Sequence, residues 1–150
     1  MDKPTLLVIA GCNGSGKSSF SKALSPNNTT VFDYDKVYLD KYSSLIESEL
    51  RDRMAHNMSQ NELKNNIDKA ISTNRNFCYE TNFNSTPIFW PEKFKDNNYR
   101  LELAFFCLDS IDKAKERVRI RVENGGHFVP DHEIESRYNL GYKHLNDHWN

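Results

Sequence analysis

Residues 11–18 read Gly-Cys-Asn-Gly-Ser-Gly-Lys-Ser, which fits G-x-x-x-x-G-K-[ST], the pattern of a phosphate-binding P-loop. The apolar run at 6–10 is typical of a buried parallel strand. After the loop, Phe20, Ala23 and Leu24 recur at a helical spacing. Strand, glycine loop and helix are the context that this motif requires. The sequence therefore predicts an α/β fold that binds a nucleoside triphosphate.

The glycines of this loop indicate how it would hold phosphate. Gly11, Gly14 and Gly16 can adopt backbone angles that turn successive N–H groups inward, and the start of the following helix adds further unpaired N–H groups. In that arrangement Lys17 reaches the β- and γ-phosphates of ATP, and the Ser18 hydroxyl binds Mg²⁺. The residues expected to bind nucleotide here are Gly11, Cys12, Asn13, Gly14, Ser15, Gly16, Lys17, Ser18 and Ser19.

Chain length, net charge and the distribution of apolar residues limit the domain count, the partners and the location that we expect. The chain of 150 residues suits one domain, 1–150, with a single core. A formal net charge of −1 argues against nucleic acid or a membrane surface as a partner. No apolar run is long enough to span a bilayer, and residues 1–4 lead directly into the first strand, so we expect no signal peptide and a cytoplasmic location.

Cysteine usage agrees with that location. Cys12, Cys78 and Cys107 are odd in number and form no C-x-x-C pair, so we expect buried free thiols in a reducing compartment. Cys12 lies inside the P-loop, where surrounding N–H groups could lower the pKa of its thiol and make it reactive. A packed, unreactive side chain is the alternative.

The rest of the chain alternates strands and helices. We predict strands at 6–10, 29–32, 77–79 and 101–108, with the second ending at 33–35. Helix starts are indicated by the capping-box pattern at 59–62, by Ser110 and by Pro130. This alternation predicts a P-loop NTPase or nucleoside-kinase-like fold, a doubly wound parallel sheet flanked by helices.

Acidic side chains follow two of these strands. Asp33 and Asp35 come after the second strand, and Glu80 with Thr81 come after the third. Ligands of such sheets bind beyond the carboxyl ends of the strands. We therefore expect these groups and the P-loop to converge on one crevice.

The motifs that are missing narrow the chemistry. The chain has no N-K-x-D motif of GTPases and no L-S-G-G-Q motif of transport ATPases. A small phosphotransferase remains, and it needs a carboxylate near the γ-phosphate, arginines and a lid that excludes water. Arg117 and Arg121 share a helix face, the glycines at 125–126 could form a hinge, and Arg137 follows. A solvated basic helix, salt-bridged to its own glutamates, explains the same spacing.

Several segments together resemble the zeta-toxin-like P-loop kinases, and the resemblance spans residues 5–149. These segments are the P-loop, Asp33-Tyr34-Asp35, Tyr79-Glu80-Thr81, and 117–138 with its Gly-Gly-His-x-Val-Pro core. Zeta toxins phosphorylate the 3′-hydroxyl of UDP-N-acetylglucosamine with ATP and Mg²⁺. The resemblance also implies that an antitoxin protein is a possible partner.

The resemblance assigns roles to individual residues. It implies that Asp35 is the catalytic base, that Glu80 and Thr81 contact the substrate, and that Arg121 and Arg137 contact the ATP phosphates, with a lid at about 121–131. The chain departs from the family where Asn-Ala-Asp becomes Asp33-Tyr34-Asp35, so that Asp33 could share or compete for the role of the base, and where Glu-Thr-Thr becomes Glu-Thr-Asn. It also ends before the family's last strand, so we expect that edge strand to be missing.

The sequence thus favours an ATP- and Mg²⁺-dependent kinase that acts on the hydroxyl of a small molecule, with a UDP-sugar as one candidate acceptor. Two alternatives remain. One is a nucleotide hydrolase or switch, and the other is a nucleotide-binding module without turnover.

Overall fold

A computed structural model describes residues 2–149. The strands are β1 (Thr5–Ala10), β2 (Val31–Asp33), β3 (Phe77–Thr81) and β4 (Arg100–Phe105). The helices are α1 (Lys17–Leu24), α2 (Tyr34–Ser44), α3 (Arg51–Ser72), α4 (Phe89–Asp96), α5 (Ile111–Glu123) and α6 (Asp131–His148). All strand pairs are parallel, in the order β2-β3-β1-β4. The predicted doubly wound α/β fold is confirmed.

The central strand β1 is buried along its whole length. Its side chains alternate between the two faces of the sheet, as the pleat requires. Leu6 and Val8 join the larger core, which the helices α3 and α4 cover, while Leu7 and Ile9 join a smaller cluster on the other face. Both faces are therefore apolar and covered, which explains why this segment reads as a continuous apolar run.

The register of the strands determines which residues lie together at the carboxyl edge of the sheet. Ala10, the last residue of β1, pairs with Thr81 of β3 and Phe105 of β4. On the far side of β3, Asp33 of β2 pairs with Glu80. The carboxyl ends of three neighbouring strands therefore lie side by side, and the P-loop leaves β1 at that edge.

A separate cluster joins the P-loop to the last two helices. Cys12 packs with Ala114 and Val118 of α5, with Val129 just before α6 and with Ile134 in its first turn. This apolar contact fixes the position of α5 and α6 relative to the loop, and it explains why Cys12 is buried. Burial raises the pKa of the Cys12 thiol, which opposes the thiolate form that a reactive cysteine needs.

Three local predictions were wrong. Ser59 does not begin a helix: it lies inside α3, fully buried, and its hydroxyl donates to the Ala55 carbonyl at 2.8 Å. The strand β4 ends at Phe105, because the Leu108 backbone is held by a tyrosine hydroxyl of α6, with Tyr142 Oη accepting from Leu108 N–H at 3.0 Å. Cys107 was predicted to be a buried thiol, but it lies in the segment that leaves the sheet after β4 and is exposed.

After β4, the regular elements of the described residues are the helices α5 and α6. Within residues 2–149 the sheet has four strands, with β2 and β4 at its edges. In the same residues, no helix is both long enough and apolar enough to cross a membrane.

Candidate active site

The P-loop connects β1 to α1 through three glycines in left-handed conformations. The φ angles are 147° at Gly11, 79° at Gly14 and 100° at Gly16. At Gly14 a side chain is also excluded by space, because a Cβ atom would lie 2.9 Å from the Ala114 carbonyl oxygen of α5. The glycines are thus required both by the turn and by the close packing of α5 on the loop.

A buried hydroxyl in the loop fits an anion. Within the described residues, Ser15 Oγ is buried and has no hydrogen-bond partner. A buried hydroxyl without a hydrogen-bond partner destabilises the fold unless a bound ligand supplies that partner. A hydroxyl donor surrounded by backbone N–H groups at a helix start suits a phosphate oxygen. The loop therefore fits the triphosphate that its sequence predicts.

Lys17 is enclosed at the base of the loop. Its Nζ donates to the Gly11 carbonyl at 2.6 Å, to the Cys12 carbonyl at 3.1 Å and to Asn82 Oδ1 at 3.1 Å. Burial lowers the pKa of Lys17, and neighbouring negative groups, Asp35 foremost, raise it in part. Lys17 and Asp35 both line the crevice described below.

Ser18 and Glu80 meet beside the lysine. Ser18 Oγ donates to Glu80 Oε2 at 3.0 Å. Glu80 is only 7% exposed, and burial raises the pKa of its carboxyl. Hydrogen bonds from Ser21 and Ser18 lower this pKa, whereas the negative charge of Asp33 raises it further. Because burial disfavours the ionised form of this carboxyl, a cation bound beside Glu80 would stabilise its charge.

These groups also fit Mg²⁺. In the part of the chain that the structure describes, no cluster of three or more His, Cys, Asp or Glu side chains could form a complete metal site. Mg²⁺ does not need one, because it usually keeps several waters and binds through one or two carboxylates together with substrate phosphates. Ser18 and Glu80 would hold it, Glu80 directly or through water.

The two aspartates differ in position. Asp33 ends β2 and caps α2, with Oδ1 accepting from the Lys36 N–H at 3.2 Å. Asp35 was expected at the end of the strand but lies in the first turn of α2, because the cap at Asp33 starts the helix immediately. Both line the crevice, and the carboxylate of Asp33 is already engaged by the backbone.

The predicted arginines are only partly brought together. Arg137 reaches the P-loop from α6, donating to Asn13 Oδ1 at 2.9 Å while it pairs with Glu133 at 3.1 Å. Arg121 does not reach the loop in this structure: it is exposed, and Nη2 donates to the His127 carbonyl at 3.4 Å. The segment at 124–130 joins α5 to α6, and its closure as a lid stays a prediction.

Thr81 has a local structural contact. Its hydroxyl accepts from the Phe83 N–H at 2.9 Å and so supports a turn in which Phe83 has a φ angle of 60°. Its carbonyl accepts from the Gly11 N–H at 3.3 Å. Thr81 lines the crevice, and its contact with a substrate stays a prediction.

The crevice itself is a cavity of about 600 Å³ between the P-loop, the start of α2, α3 and the chain after β3. Sequence reasoning missed Asn82 and Asn84 in its wall, as well as His56 and Gln60 of α3. For Asn82 a signal was present, because it directly follows Glu80-Thr81 where the family has threonine. The α3 residues carry no such signal, because a polar residue on a helix is usually solvated.

Comparisons with known proteins agree with this geometry. The family model for zeta toxins matches residues 1–146. A comparison with curated proteins finds no match. Among solved structures, the chain resembles one from the Pnkp1/Rnl/Hen1 RNA repair complex, with a TM-score of 0.72, 18% identity and coverage of 98% of this chain and 47% of the other.

Two further structures are similar. One comes from the PezAT chromosomal toxin–antitoxin system of Streptococcus pneumoniae, with a TM-score of 0.68, 16% identity and coverage of 98% of this chain and 65% of the other. The other is a gluconokinase from Sinorhizobium meliloti, with a TM-score of 0.55, 19% identity and coverage of 93% and 76%. The chain spans about half of the RNA repair protein and about two thirds of the PezAT protein. With its family model matched from residue 1 to 146, this chain belongs to the zeta toxin family and has the fold of P-loop kinases.

Proposed function

We propose that the protein is an ATP- and Mg²⁺-dependent phosphotransferase that transfers the γ-phosphoryl group to a hydroxyl of a small molecule. The observation that carries the proposal is that Lys17 of the P-loop and Asp35 of α2 line the same crevice. A P-loop alone would serve a hydrolase equally well. A carboxylate beside the P-loop lysine, facing a cavity large enough for a second substrate, favours transfer.

The donor end of the crevice would bind ATP. The inward N–H groups of the loop hold the phosphates, and Lys17 neutralises the β- and γ-oxygens. Ser18 and Glu80 would hold Mg²⁺, which when bound would offset the negative charge of the phosphates. Arg137 stands at Asn13 of the loop, from where its guanidinium can turn to a phosphate oxygen.

Asp35 would act as the general base. Its carboxylate accepts the proton of the acceptor hydroxyl as the acceptor oxygen forms a bond to the γ-phosphorus. The bond from that phosphorus to the β,γ-bridging oxygen breaks, and ADP leaves with the electron pair. Arg121 would join Arg137 at the phosphates if the segment at 121–131 closes over the nucleotide, which would also exclude water.

The family suggests candidates for the other partners. A UDP-sugar such as UDP-N-acetylglucosamine is the acceptor that the zeta toxin resemblance implies. Glu80 and Thr81 are the residues proposed to contact the acceptor. The similar PezAT protein belongs to a toxin–antitoxin system, which supports an antitoxin protein as a candidate partner of this chain.

The test is phosphoryl transfer from γ-labelled ATP to a panel of sugars, nucleosides and UDP-sugars, scored by mass spectrometry. Lys17→Ala is the matched control for contaminating kinases. A labelled acceptor that needs intact Lys17 supports the proposal. Phosphate release without a labelled acceptor would favour the hydrolase or switch, and tight ATP binding without turnover would favour the binding module.

A further inference from the structure

We infer that the acceptor is an uncharged or cationic hydroxyl compound, of the sugar or polyol class, and that a phosphate-bearing acceptor such as a nucleotide sugar is disfavoured. The inference rests on the proposed function, since it concerns the second substrate of the same site. It differs from what the family resemblance implies. The inference is based on the charges of the side chains that line the crevice.

The lysine and arginine side chains that line the crevice lie at its donor end. Among the lining side chains in the described residues, Lys17 and Arg137 are the lysine and arginine members. Lys17 is fixed against the P-loop carbonyls, and Arg137 is fixed between Asn13 of the same loop and Glu133. Both serve the phosphates of the donor, which leaves neither for a second set of phosphates.

Negative charge lines the acceptor side. Asp33 and Asp35 face the crevice from β2 and α2. Glu80 also lines the crevice, but its charge is assigned to the Mg²⁺ at the donor end. The complex of Mg²⁺ and ATP is itself a net anion. An acceptor diphosphate would therefore enter a partly enclosed space that already holds negative charge, and like charges brought together there repel strongly.

Two further basic side chains lie on the acceptor side, where His56 lines the crevice and Lys93 lies beside Trp90. His56 Nε2 lies 3.8 Å from Asp52, and His56 Nδ1 lies 3.1 Å from the Tyr34 hydroxyl. Lys93, whose Nζ lies 5.7 Å from the centre of the Trp90 ring, forms an ion pair with Asp68 at 2.6 Å. A diphosphate would have to displace these carboxylates to gain a counter-charge.

The other walls suit an uncharged sugar or polyol. Gln60, Asn84 and Thr86 offer neutral amide and hydroxyl groups that can donate to and accept from hydroxyls. Trp90 and Phe89 offer aromatic surface, and their rings form an edge-to-face pair with centroids 4.8 Å apart. A few convergent polar groups beside aromatic surface are typical of pockets for small uncharged ligands.

The first experiment uses acceptors that share one sugar and differ in charge: N-acetylglucosamine, N-acetylglucosamine 1-phosphate and UDP-N-acetylglucosamine. Uridine and UDP are added to separate recognition of the base from recognition of the diphosphate. We expect kcat/KM for phosphoryl transfer to fall by about tenfold or more from each uncharged compound to its phosphorylated counterpart. The penalty should shrink as salt is added, because salt screens the repulsion. Preference for the phosphorylated member would overturn the inference.

Calorimetry separates this inference from the proposed function. The same compounds are titrated into the protein saturated with Mg²⁺ and a non-hydrolysable ATP analogue. Tighter binding of the uncharged members without any phosphoryl transfer would leave the inference standing and refute the proposed transferase. Equal or tighter binding of the phosphorylated members would refute the inference, and so would no binding of any member, because the crevice would then not be an acceptor site.

A charge added to the wall gives an independent check. Asn84→Arg introduces a cation on the acceptor side, and Asn84→Gln is its uncharged control. We expect Asn84→Arg to improve the binding of UDP relative to uridine by about tenfold, and Asn84→Gln to leave this ratio unchanged. No change in the ratio with Asn84→Arg would mean that charge does not set acceptor choice, which would overturn the inference.

Discussion

The Ser18 hydroxyl donates a 3.0 Å hydrogen bond to the Glu80 carboxylate, joining the first turn of α1 to the end of β3. The same hydroxyl is the one that a P-loop offers to Mg²⁺. Glu80 is therefore placed next to the expected cation, yet its burial raises the pKa of its carboxyl and disfavours the charged form. A charge kept there at a cost in stability is what a cation site requires.

Glu80→Gln should therefore stabilise the nucleotide-free protein at neutral pH. A carboxyl whose pKa is raised on folding contributes stability below the unfolded pKa of about 4.3 and loses it as pH rises through the folded value. Glutamine keeps the hydrogen-bonding shape and does not ionise. We expect urea unfolding to show a stability gain for Glu80→Gln at pH 7.5 that disappears near pH 4.

The same variant should bind Mg²⁺ and ATP more weakly, because the neutral amide is a poor partner for the cation. Calorimetry with ATP at several Mg²⁺ concentrations measures this. In the urea unfolding experiment, an equal change in unfolding free energy at pH 4 and pH 7.5 would show that the charge of Glu80 does not cause the change in stability. Unchanged dependence on Mg²⁺ would remove Glu80 from the cation site.

Lys17→Ala should lower nucleotide affinity and turnover together. The ammonium group is expected to contact the phosphates in both the ground state and the transition state, and one such contact contributes about 2 kcal/mol, or about thirtyfold in affinity. Calorimetry with an ATP analogue gives the affinity. Lys22→Ala, on the exposed face of the same helix, is the control, and we expect it to bind normally. Normal ATP affinity in Lys17→Ala would contradict the P-loop assignment.

Much of the donor site could be predicted from the sequence because it is local. The P-loop and its flanking strand and helix are contiguous, so eight residues specify both the turn and the proposed phosphate contacts. The convergence of Asp33, Asp35 and Glu80 followed from the rule for parallel strands. These predictions needed only the order of the elements.

What the sequence could not supply are contacts set by packing. Lys17 meets Asn82 across 65 residues, and Arg137 meets Asn13 across 124 residues, so each contact depends on how α6 and the chain after β3 settle on the P-loop. Ser59 illustrates the opposite error. Its capping-box pattern is genuine, but burial in the core continues α3 through it, and tertiary packing overrides the local signal.

Gly14→Ala should destabilise the protein more than Gly125→Ala. Both glycines have positive φ angles, 79° and 85°, so both variants pay about 1–2 kcal/mol of backbone strain. Only at Gly14 does a Cβ atom also meet the Ala114 carbonyl, whereas nothing lies within 4 Å at Gly125. We expect an excess cost of at least about 1 kcal/mol for Gly14→Ala in urea unfolding. An equal loss of unfolding free energy in the two variants would mean that α5 moves away from the added methyl group without a measurable penalty.

Nucleotide should order the segment at 121–131. Arg121 is exposed and donates a long hydrogen bond of 3.4 Å to the His127 carbonyl, so a phosphate oxygen would offer it a stronger partner. Hydrogen exchange with and without a non-hydrolysable ATP analogue measures the effect, and we expect slower exchange of the amides at 125–129 with the analogue. Arg119→Ala, which removes an exposed pair with Glu123, is the control. Equal exchange in both states would favour the solvated-helix alternative.

Asp35→Asn should leave nucleotide binding intact and lower phosphoryl transfer. Asparagine keeps the shape of the side chain but cannot take the acceptor proton, and proton transfer to a positioned base contributes about 10²–10⁴-fold in rate. The single-turnover rate with saturating ATP and an acceptor identified in the panel measures the step directly.

Asp33→Asn is the matched control. Asp33 caps α2 through the Lys36 N–H at 3.2 Å, and asparagine caps a helix about as well as aspartate, so both the fold and the rate should change little. If Asp33→Asn abolishes transfer and Asp35→Asn is mild, the base is Asp33 and the roles are exchanged. If neither changes the rate, proton abstraction by these carboxylates is not part of the mechanism, and the hydrolase and binding-module alternatives gain support.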